Sequence, residues 1–139
     1  MTIKETEQHI IEEFSVFEQW LDKYEYLIEL GKSLPLIPET GKQDSNLIKG
    51  CQSRVWLNAE YREGKIFFTA DSDAIITKGI ISLLVRVFSG RTPQEIADAD
   101  LEFIKIIGLQ DNLSPTRANG LLAMIKQIKY YAMAYQKSV

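Results

Sequence analysis

Residues 54–88 read RVWLNAEYREGKIFFTADSDAIITKGIISLLVRVF, and this stretch decides the fold. Residues 54–61 and 65–69 are rich in β-branched and aromatic side chains, and the short segment 62–64 separates them. That pattern predicts an antiparallel hairpin. Residues 74–88 then carry a broad apolar face at helical spacing, which predicts the most buried helix of the protein. A hairpin followed by helices is not the alternating series of a parallel sheet, so we predict an α+β fold in which a small antiparallel sheet packs against several helices.

The segment before the hairpin predicts helices and then a loop. Apolar side chains recur at three- and four-residue steps from residue 3 to residue 30, and Ser15 is a candidate break between two helices. Gly31 is expected to follow the helix end in a left-handed conformation. Residues 32–46 contain prolines, a glycine and polar residues, which predict an irregular surface loop. A third short strand is expected in either 34–36 or 47–49, because two strands alone form a marginal sheet.

The segment after the hairpin is divided by helix-start signals. Residues 71–73 are predicted to cap the helix 74–88. Residues 92–95 have the form of a capping box with proline at the first helical position, and residues 100–107 predict another short helix. Ser114 and the proline after it open the last helix. The side chains expected on the core side of that helix are Leu121, Leu122, Met124, Ile125, Ile128 and Met133.

Composition limits the class of protein. With 139 residues, 45% of them hydrophobic, the chain has the size of one domain, which we assign to residues 1–139. A net charge of -3 argues against a nucleic-acid partner. The chain has no apolar run long enough for a membrane span, and its start lacks the pattern of a signal peptide. We therefore expect a cytoplasmic protein that does not enter the membrane.

Cys51 is the only cysteine and the first candidate for chemistry. A lone cysteine is more often a small buried hydrophobic residue than a reactive one. Here, however, its neighbours Gly50, Gln52 and Ser53 are typical of a turn that leads into a strand. Lys49 and Arg54 bring positive charge close in sequence, which favours a thiolate. These flanks favour a reactive Cys51.

Most reactions of a cysteine sulfur need further side chains that this sequence lacks. A hydrolase of the papain type needs a histidine base. The only histidine is His9, which lies on the predicted N-terminal helix and is distant in sequence from Cys51. A metal site needs three or four ligands, so we expect no metal bound by this chain alone. A dithiol redox site needs a second cysteine. A single thiol can still accept a group from one molecule and give it to another, and persulfide transfer meets that description.

Four groups of motifs occur in order along the chain: Gly50-Cys51-Gln52-Ser53 with Val55-Trp56-Leu57; Ala70-Asp71-Ser72-Asp73-Ala74; Lys78-Gly79; and Leu113-Ser114-Pro115-Thr116-Arg117 with Asn119-Gly120-Leu121. Together they resemble the SufE family of sulfur acceptors, in either its SufE branch or its CsdE-type branch. The resemblance extends from residue 24 to the last helix. It implies a fold similar to that of the IscU-type iron-sulfur scaffolds, with Cys51 at the tip of a loop.

The resemblance also implies a function. A pyridoxal-phosphate-dependent cysteine desulfurase would hold sulfur as a persulfide, and Cys51 would attack it, carry the sulfur and pass it to an iron-sulfur scaffold or another acceptor. The chain would then stimulate the desulfurase, with no cofactor of its own. Two alternatives stay open: a regulatory adaptor that carries no sulfur, and a one-cysteine thiol peroxidase or redox sensor. Monomer and homodimer are both compatible with the sequence.

The same resemblance extends to the residues around Cys51. It implies that the sulfur is sheltered in an apolar pocket and that the loop swings out on docking, with Gly50 as its hinge. Gln52 and Ser53 would belong to that loop, and Trp56 would form part of the core or of the pocket wall.

Four further residues are candidates for binding the partner or bordering the site: Arg54, Asp73, Lys78 and Arg117. Arg117 stands in a helix first turn, where the helix dipole disfavours a cation. That position predicts a compensating partner, either a desulfurase carboxylate, the Cys51 thiolate, or an acidic residue of the 71–73 turn. For Lys78 a solvated helix position is the simpler expectation.

Overall fold

The structure is a computed structural model that describes residues 1–137, so residues 138–139 of the predicted domain lie outside the described part. Within it, six helices and a two-stranded antiparallel sheet form an α+β fold, as predicted. In chain order the elements are α1 (Ile3–Ser15), α2 (Trp20–Gly31), β1 (Val55–Arg62), β2 (Lys65–Ser72), α3 (Ile75–Phe88), α4 (Pro93–Asp98), α5 (Glu102–Ile106) and α6 (Pro115–Lys137). None of the helices in this range is long and apolar enough to cross a membrane.

The hairpin is regular over its full length. Val55 pairs with Ser72 at one end, and Arg62 pairs with Lys65 at the other. The two residues between the strands both have positive φ, which is the geometry that matches the twist of a tight hairpin. The second strand continues three residues beyond the predicted end, so Asp71 belongs to the sheet.

Helix α3 lies at the centre of the fold and packs on both α2 and β2. Nine of its residues are buried, as predicted for the most buried helix: Thr77, Gly79, Ile80, Ile81, Leu83, Leu84, Val85, Val87 and Phe88. Helix α6 buries Leu121 and Met124 among its apolar residues. The prediction for Leu122 and Met133 was wrong, because these side chains are 49% and 53% exposed. Both lie on the side of α6 that faces away from the core.

Gly31 has a different role from the one predicted. It is the last residue of α2, and the structure records no left-handed conformation for it. A methyl group at Gly31 would lie 3.1 Å from the backbone nitrogen of Gly79 on α3. The glycine therefore allows two helices to approach closely, and it is not required by a turn.

The loop between α2 and the hairpin makes short contacts with both strands. Two 3-10 turns, Glu39–Gly41 and Asp44–Asn46, interrupt it. The Ile37 N–H donates to the Ala70 carbonyl at 3.1 Å, and the Ile48 N–H donates to the Val55 carbonyl at 2.9 Å. Both segments offered as a third strand thus touch the sheet, but each forms only an isolated bridge. The second contact fixes the start of the segment that carries Cys51.

Candidate functional site

The Cys51 segment lies between this contact and β1, and it rests against α6. Gly50 has a φ of +95°, a conformation that glycine adopts at little cost. A methyl group there would lie 3.2 Å from the Cβ of Ala123 on α6. Glycine is therefore favoured twice at this position, by its backbone conformation and by the close approach of the helix.

The Cys51 thiol is half-buried and has one polar neighbour. Its Sγ lies 3.6 Å from the carbonyl oxygen of Gly120 on α6, within donating distance for the thiol. Burial raises the pKa of the Cys51 thiol above its usual range. The sequence-based expectation that Lys49 and Arg54 favour the thiolate is wrong for this resting arrangement. Both side chains are exposed, and burial is the cause that determines the direction of the shift.

A cavity of about 270 Å³ opens beside the sulfur. Three parts of the chain form it: the Cys51 loop, the first turns of α3, and the start of α6. Its lining residues are Cys51, Gln52, Ser53, Thr77, Ile80, Ser114, Thr116, Arg117, Gly120 and Met124. The apolar pocket implied by the resemblance is thus replaced by a mostly polar one, in which Ile80 and Met124 are the large apolar residues.

Two of the polar lining groups have no partner of their own. Thr77 is only 6% exposed, and its hydroxyl makes no hydrogen bond within the described part of the chain. Arg117 is exposed at the cavity and forms no ion pair with any residue in the range 1–137. The predicted pairing of Arg117 with the 71–73 turn is therefore absent from this structure. The Thr77 hydroxyl and the Arg117 guanidinium can therefore both donate hydrogen bonds to a molecule that enters the cavity.

Asp73 ties the loop to the sheet. Its carboxylate accepts a hydrogen bond from the Arg54 N–H at 3.0 Å, and its own N–H donates to the Arg54 carbonyl at 3.2 Å. The prediction that residues 71–73 cap α3 is wrong, because the N-cap residue is Ala74 and no side chain caps the first-turn amides. The Ser72 hydroxyl accepts a hydrogen bond only from the Ala74 N–H, at 3.3 Å, ahead of the first turn. The Asp73 carboxylate, which could have been a cap, instead closes the base of the Cys51 loop.

Lys78 and Trp56 belong to a separate cluster around Asp71. Asp71 is buried and forms ion pairs with Lys42 at 2.9 Å and with Lys78 at 3.3 Å. Burial alone would raise the pKa of Asp71, but hydrogen bonds from Lys42, the Ser72 N–H and Lys78 outweigh it and hold this pKa below its usual value. The Lys42 ammonium also lies 5.3 Å from the ring centroid of Trp56.

Of the predicted site residues, the structure therefore brings Cys51, Gln52, Ser53 and Arg117 together around the cavity. Gly50 and the Asp73 tie lie beside them, whereas Lys78 and Trp56 do not line the cavity. No sequence-based prediction gave Thr77 a role, although a threonine on a strongly apolar helix face is a visible signal. The Gly120 carbonyl was not predicted either, since a backbone carbonyl is present at every residue and leaves no mark in a sequence.

The part of the chain that the structure describes has no evident metal site. Among residues 1–137, no three His, Cys, Asp or Glu side chains come together in a way that could hold a metal ion.

Comparison with known proteins identifies the family. A model described as SufE, an Fe-S metabolism associated domain, matches residues 8–132. An uncharacterized SufE-like protein of Rhizobium meliloti is 40% identical over 125 residues, which are 86% of this chain and 89% of the relative. A second, from Synechocystis, is 38% identical over 127 residues, covering 91% of this chain and 80% of that protein.

A solved structure shares the fold. The solution structure of a hypothetical protein from Thermus thermophilus superposes with a TM-score of 0.77 and covers 95% of this chain and 96% of its own. At 19% sequence identity this similarity concerns the fold alone. The extent of the family match and the identity to the two relatives decide the classification, and with it a role in Fe-S metabolism. The chain belongs to the SufE family.

Proposed function

We propose that this protein accepts sulfur from a cysteine desulfurase on Cys51 and carries it as a persulfide. The Cys51 thiolate attacks the outer sulfur of the persulfide on the desulfurase, the sulfur–sulfur bond of that persulfide breaks, and the desulfurase cysteine leaves as a thiolate. The proton of the Cys51 thiol goes to solvent. Each step needs one nucleophilic sulfur on this chain, and pyridoxal phosphate acts only on the partner.

The observation that carries this proposal is the position of the Cys51 sulfur at the wall of a polar cavity. A volume of about 270 Å³ gives room for an added sulfur atom beside Sγ. The Arg117 guanidinium and the hydroxyls of Thr77, Ser114 and Thr116 line the same space. A persulfide is an anion at neutral pH, and such donors stabilise an anion that is removed from bulk water.

Two contacts hold the loop in its resting position. One joins the Cys51 Sγ to the Gly120 carbonyl, and the other joins the Asp73 carboxylate to the Arg54 N–H. We propose that docking breaks both and that the loop swings about Gly50 to bring the sulfur to the partner. The outer sulfur of the Cys51 persulfide then passes to an iron-sulfur scaffold or another acceptor. A cytoplasmic location stays part of this proposal.

The test is to mix the protein with a purified cysteine desulfurase and L-cysteine and to measure its intact mass. We expect Cys51 to gain the mass of one sulfur atom and the Cys51→Ser variant to gain none. Absence of that mass gain on the wild-type protein, while the desulfurase turns over, would refute the carrier role. Full stimulation of the desulfurase by Cys51→Ala would instead favour the regulatory adaptor.

The peroxidase alternative predicts a different result, namely peroxide turnover with an external thiol as reductant. A peroxidatic cysteine needs thiolate character and access to solvent. Half-burial and the raised pKa of Cys51 oppose both requirements in the resting protein.

A further inference from the structure

We propose that the cavity beside Cys51 also binds a small oxyanion, and that a small sulfane-sulfur donor of the thiosulfate type charges Cys51 directly, without a desulfurase. This inference rests on the proposed carrier function because it uses the same nucleophile. It adds a second class of donor, a free anion in place of a protein persulfide.

The charge of the lining points to an anion. One guanidinium, from Arg117, faces the cavity, and no aspartate or glutamate is among the lining residues. The nearby carboxylates are engaged elsewhere: Asp71 pairs with Lys42 and Lys78, and Asp73 accepts from the Arg54 N–H. The lining residues themselves therefore carry a net positive charge while the thiol is protonated, even though the whole chain carries a net charge of -3.

The Thr77 hydroxyl is the second observation. Most polar side chains as buried as Thr77 have a hydrogen-bond partner within the protein, and one that borders a cavity takes its partner from what fills the cavity. Thr77 is 6% exposed, lines the cavity and makes no side-chain hydrogen bond within residues 1–137. A ligand oxygen in the cavity would supply the missing partner.

The helix starts favour the same ligand. The first turns of α3 and α6, helices of 14 and 23 residues, both border the cavity. At α3 no side chain caps the first-turn amides, whereas at α6 the Ser114 hydroxyl accepts from the Arg117 N–H at 3.3 Å. Free first-turn N–H groups carry partial positive charge and bind sulfate-like groups readily.

The size of the cavity suits such a donor. Thiosulfate has five heavy atoms, which occupy roughly 150 Å³ if each takes the 30 Å³ of a liquid water molecule. The cavity of about 270 Å³ holds it, with room beside Sγ for the sulfane sulfur. The three oxygens would then reach toward Arg117 and Thr77.

The reaction balances without an outside oxidant or reductant. The Cys51 thiolate attacks the sulfane sulfur, a new sulfur–sulfur bond forms on Cys51, and the bond to the sulfonate sulfur breaks. Sulfite leaves with the electron pair of that bond, and the thiol proton goes to water. Cys51 ends as the same persulfide that the desulfurase would produce.

The experiment incubates the protein with thiosulfate alone and follows both the intact mass and the release of sulfite. We expect one added sulfur on Cys51 and one sulfite per protein. Arg117→Gln removes a charge-assisted contact and should slow charging about tenfold or more at subsaturating thiosulfate. Thr77→Val removes the unpartnered hydroxyl at nearly constant volume and should slow it about threefold to tenfold.

Lys126→Gln is the matched control. It removes one positive charge from the same helix, and Lys126 is exposed and does not line the cavity. Its charging rate should equal that of the wild-type protein. Sulfate, which fits the site but carries no transferable sulfur, should inhibit charging competitively, and circular dichroism verifies that every variant is folded.

Each outcome decides one of the two proposals. If a desulfurase charges Cys51 and thiosulfate does not, this inference is overturned and the carrier function stands. If neither donor charges it, the carrier function fails as well. Charging by thiosulfate that Arg117→Gln and Thr77→Val affect no more than Lys126→Gln also overturns the inference, because the sulfur would then be reacting without the site.

Discussion

Replacing Gly79 with alanine should strongly destabilise the protein. Gly79 lies on α3 where that helix crosses α2. A methyl group on it would lie 2.2 Å from the carbonyl oxygen of Leu27 and 2.7 Å from the carbonyl carbon. Both are backbone atoms of a helix, so no side-chain rotation relieves the overlap. The two helices must separate, and α3 carries Thr77 and Ile80 of the Cys51 cavity with it.

The magnitude follows from two opposing effects. Alanine in a helix interior is favoured over glycine by about 1 kcal/mol. Optimal nonbonded contacts lie near 3.5–4.0 Å, so the contact with the carbonyl oxygen is more than about 1 Å too short. Overpacking against an atom that cannot move should therefore cost about 4 kcal/mol, just above the usual range of about 1–3 kcal/mol. We expect a net loss of about 3 kcal/mol, a large part of a typical folding free energy of about 5–15 kcal/mol.

Urea unfolding followed by circular dichroism measures this loss. With a slope of about 2 kcal/mol per molar urea, the midpoint should fall by about 1.5 M. Gly31→Ala is the control in the same helix pair, because its methyl group would lie 3.1 Å from the nearest atom, and its loss should stay below about 1 kcal/mol. A Gly79→Ala midpoint within about 0.5 M of the wild type, or a smaller destabilisation than that of the control, would refute the reasoning about the helix crossing.

Three further predictions concern ionisable groups. Asp73→Ala should raise the rate of Cys51 alkylation by iodoacetamide up to about tenfold, because it removes one charge-assisted hydrogen bond that closes the loop; an unchanged rate would show that the tie does not limit access. The alkylation rate of wild-type Cys51 should rise with a midpoint at higher pH in the folded protein than in urea, since burial raises its pKa; equal midpoints would contradict this. Glu7 is 4% exposed, and its Oε1 has no partner within residues 1–137. Burial raises the pKa of Glu7, so the folded protein loses stability as the pH rises above the pKa that Glu7 has in the unfolded chain. Glu7→Gln should therefore gain about 1 kcal/mol at pH 7 and nothing near pH 4, and a gain that persists at pH 4 would point to another cause.

The fold could be predicted from the sequence because the local residue patterns favour the same elements that the tertiary packing requires. The hairpin has β-branched and aromatic strands around a turn that contains glycine, and the helices carry periodic apolar faces. The predicted caps at residues 71–73 failed for a physical reason. Asp71 and Asp73 find partners in Lys42 and Arg54, which are distant in sequence, so neither carboxylate caps α3.

Only part of the candidate site could be predicted from the sequence. The lone Cys51 and its turn stand out in the sequence, and Arg117 stands out as a cation at a helix start. Thr77 and Gly120 enter the site through the packing of α3 and α6 against the loop. The sequence marks Thr77 only as a polar residue on an apolar helix face, and it does not show which part of the chain this residue contacts. The direction of the Cys51 pKa shift was missed for the same reason, since burial by α6 is a tertiary effect that outweighs charges near in sequence.

The resting structure and the proposed reaction require opposite states of the same proton. The contact of the Cys51 Sγ with the Gly120 carbonyl uses the thiol proton, and burial keeps that proton on the sulfur. Attack on a sulfur donor requires its loss. A docking partner that draws the loop away from α6 would remove the carbonyl contact and the burial together, so one movement would both expose the sulfur and lower its pKa. Access and nucleophilicity would then be coupled, so the free protein would keep a mostly neutral thiol that resists oxidation. A small donor that enters the cavity while the loop is at rest would react only with the small thiolate fraction, and would therefore charge Cys51 more slowly than a docked partner does.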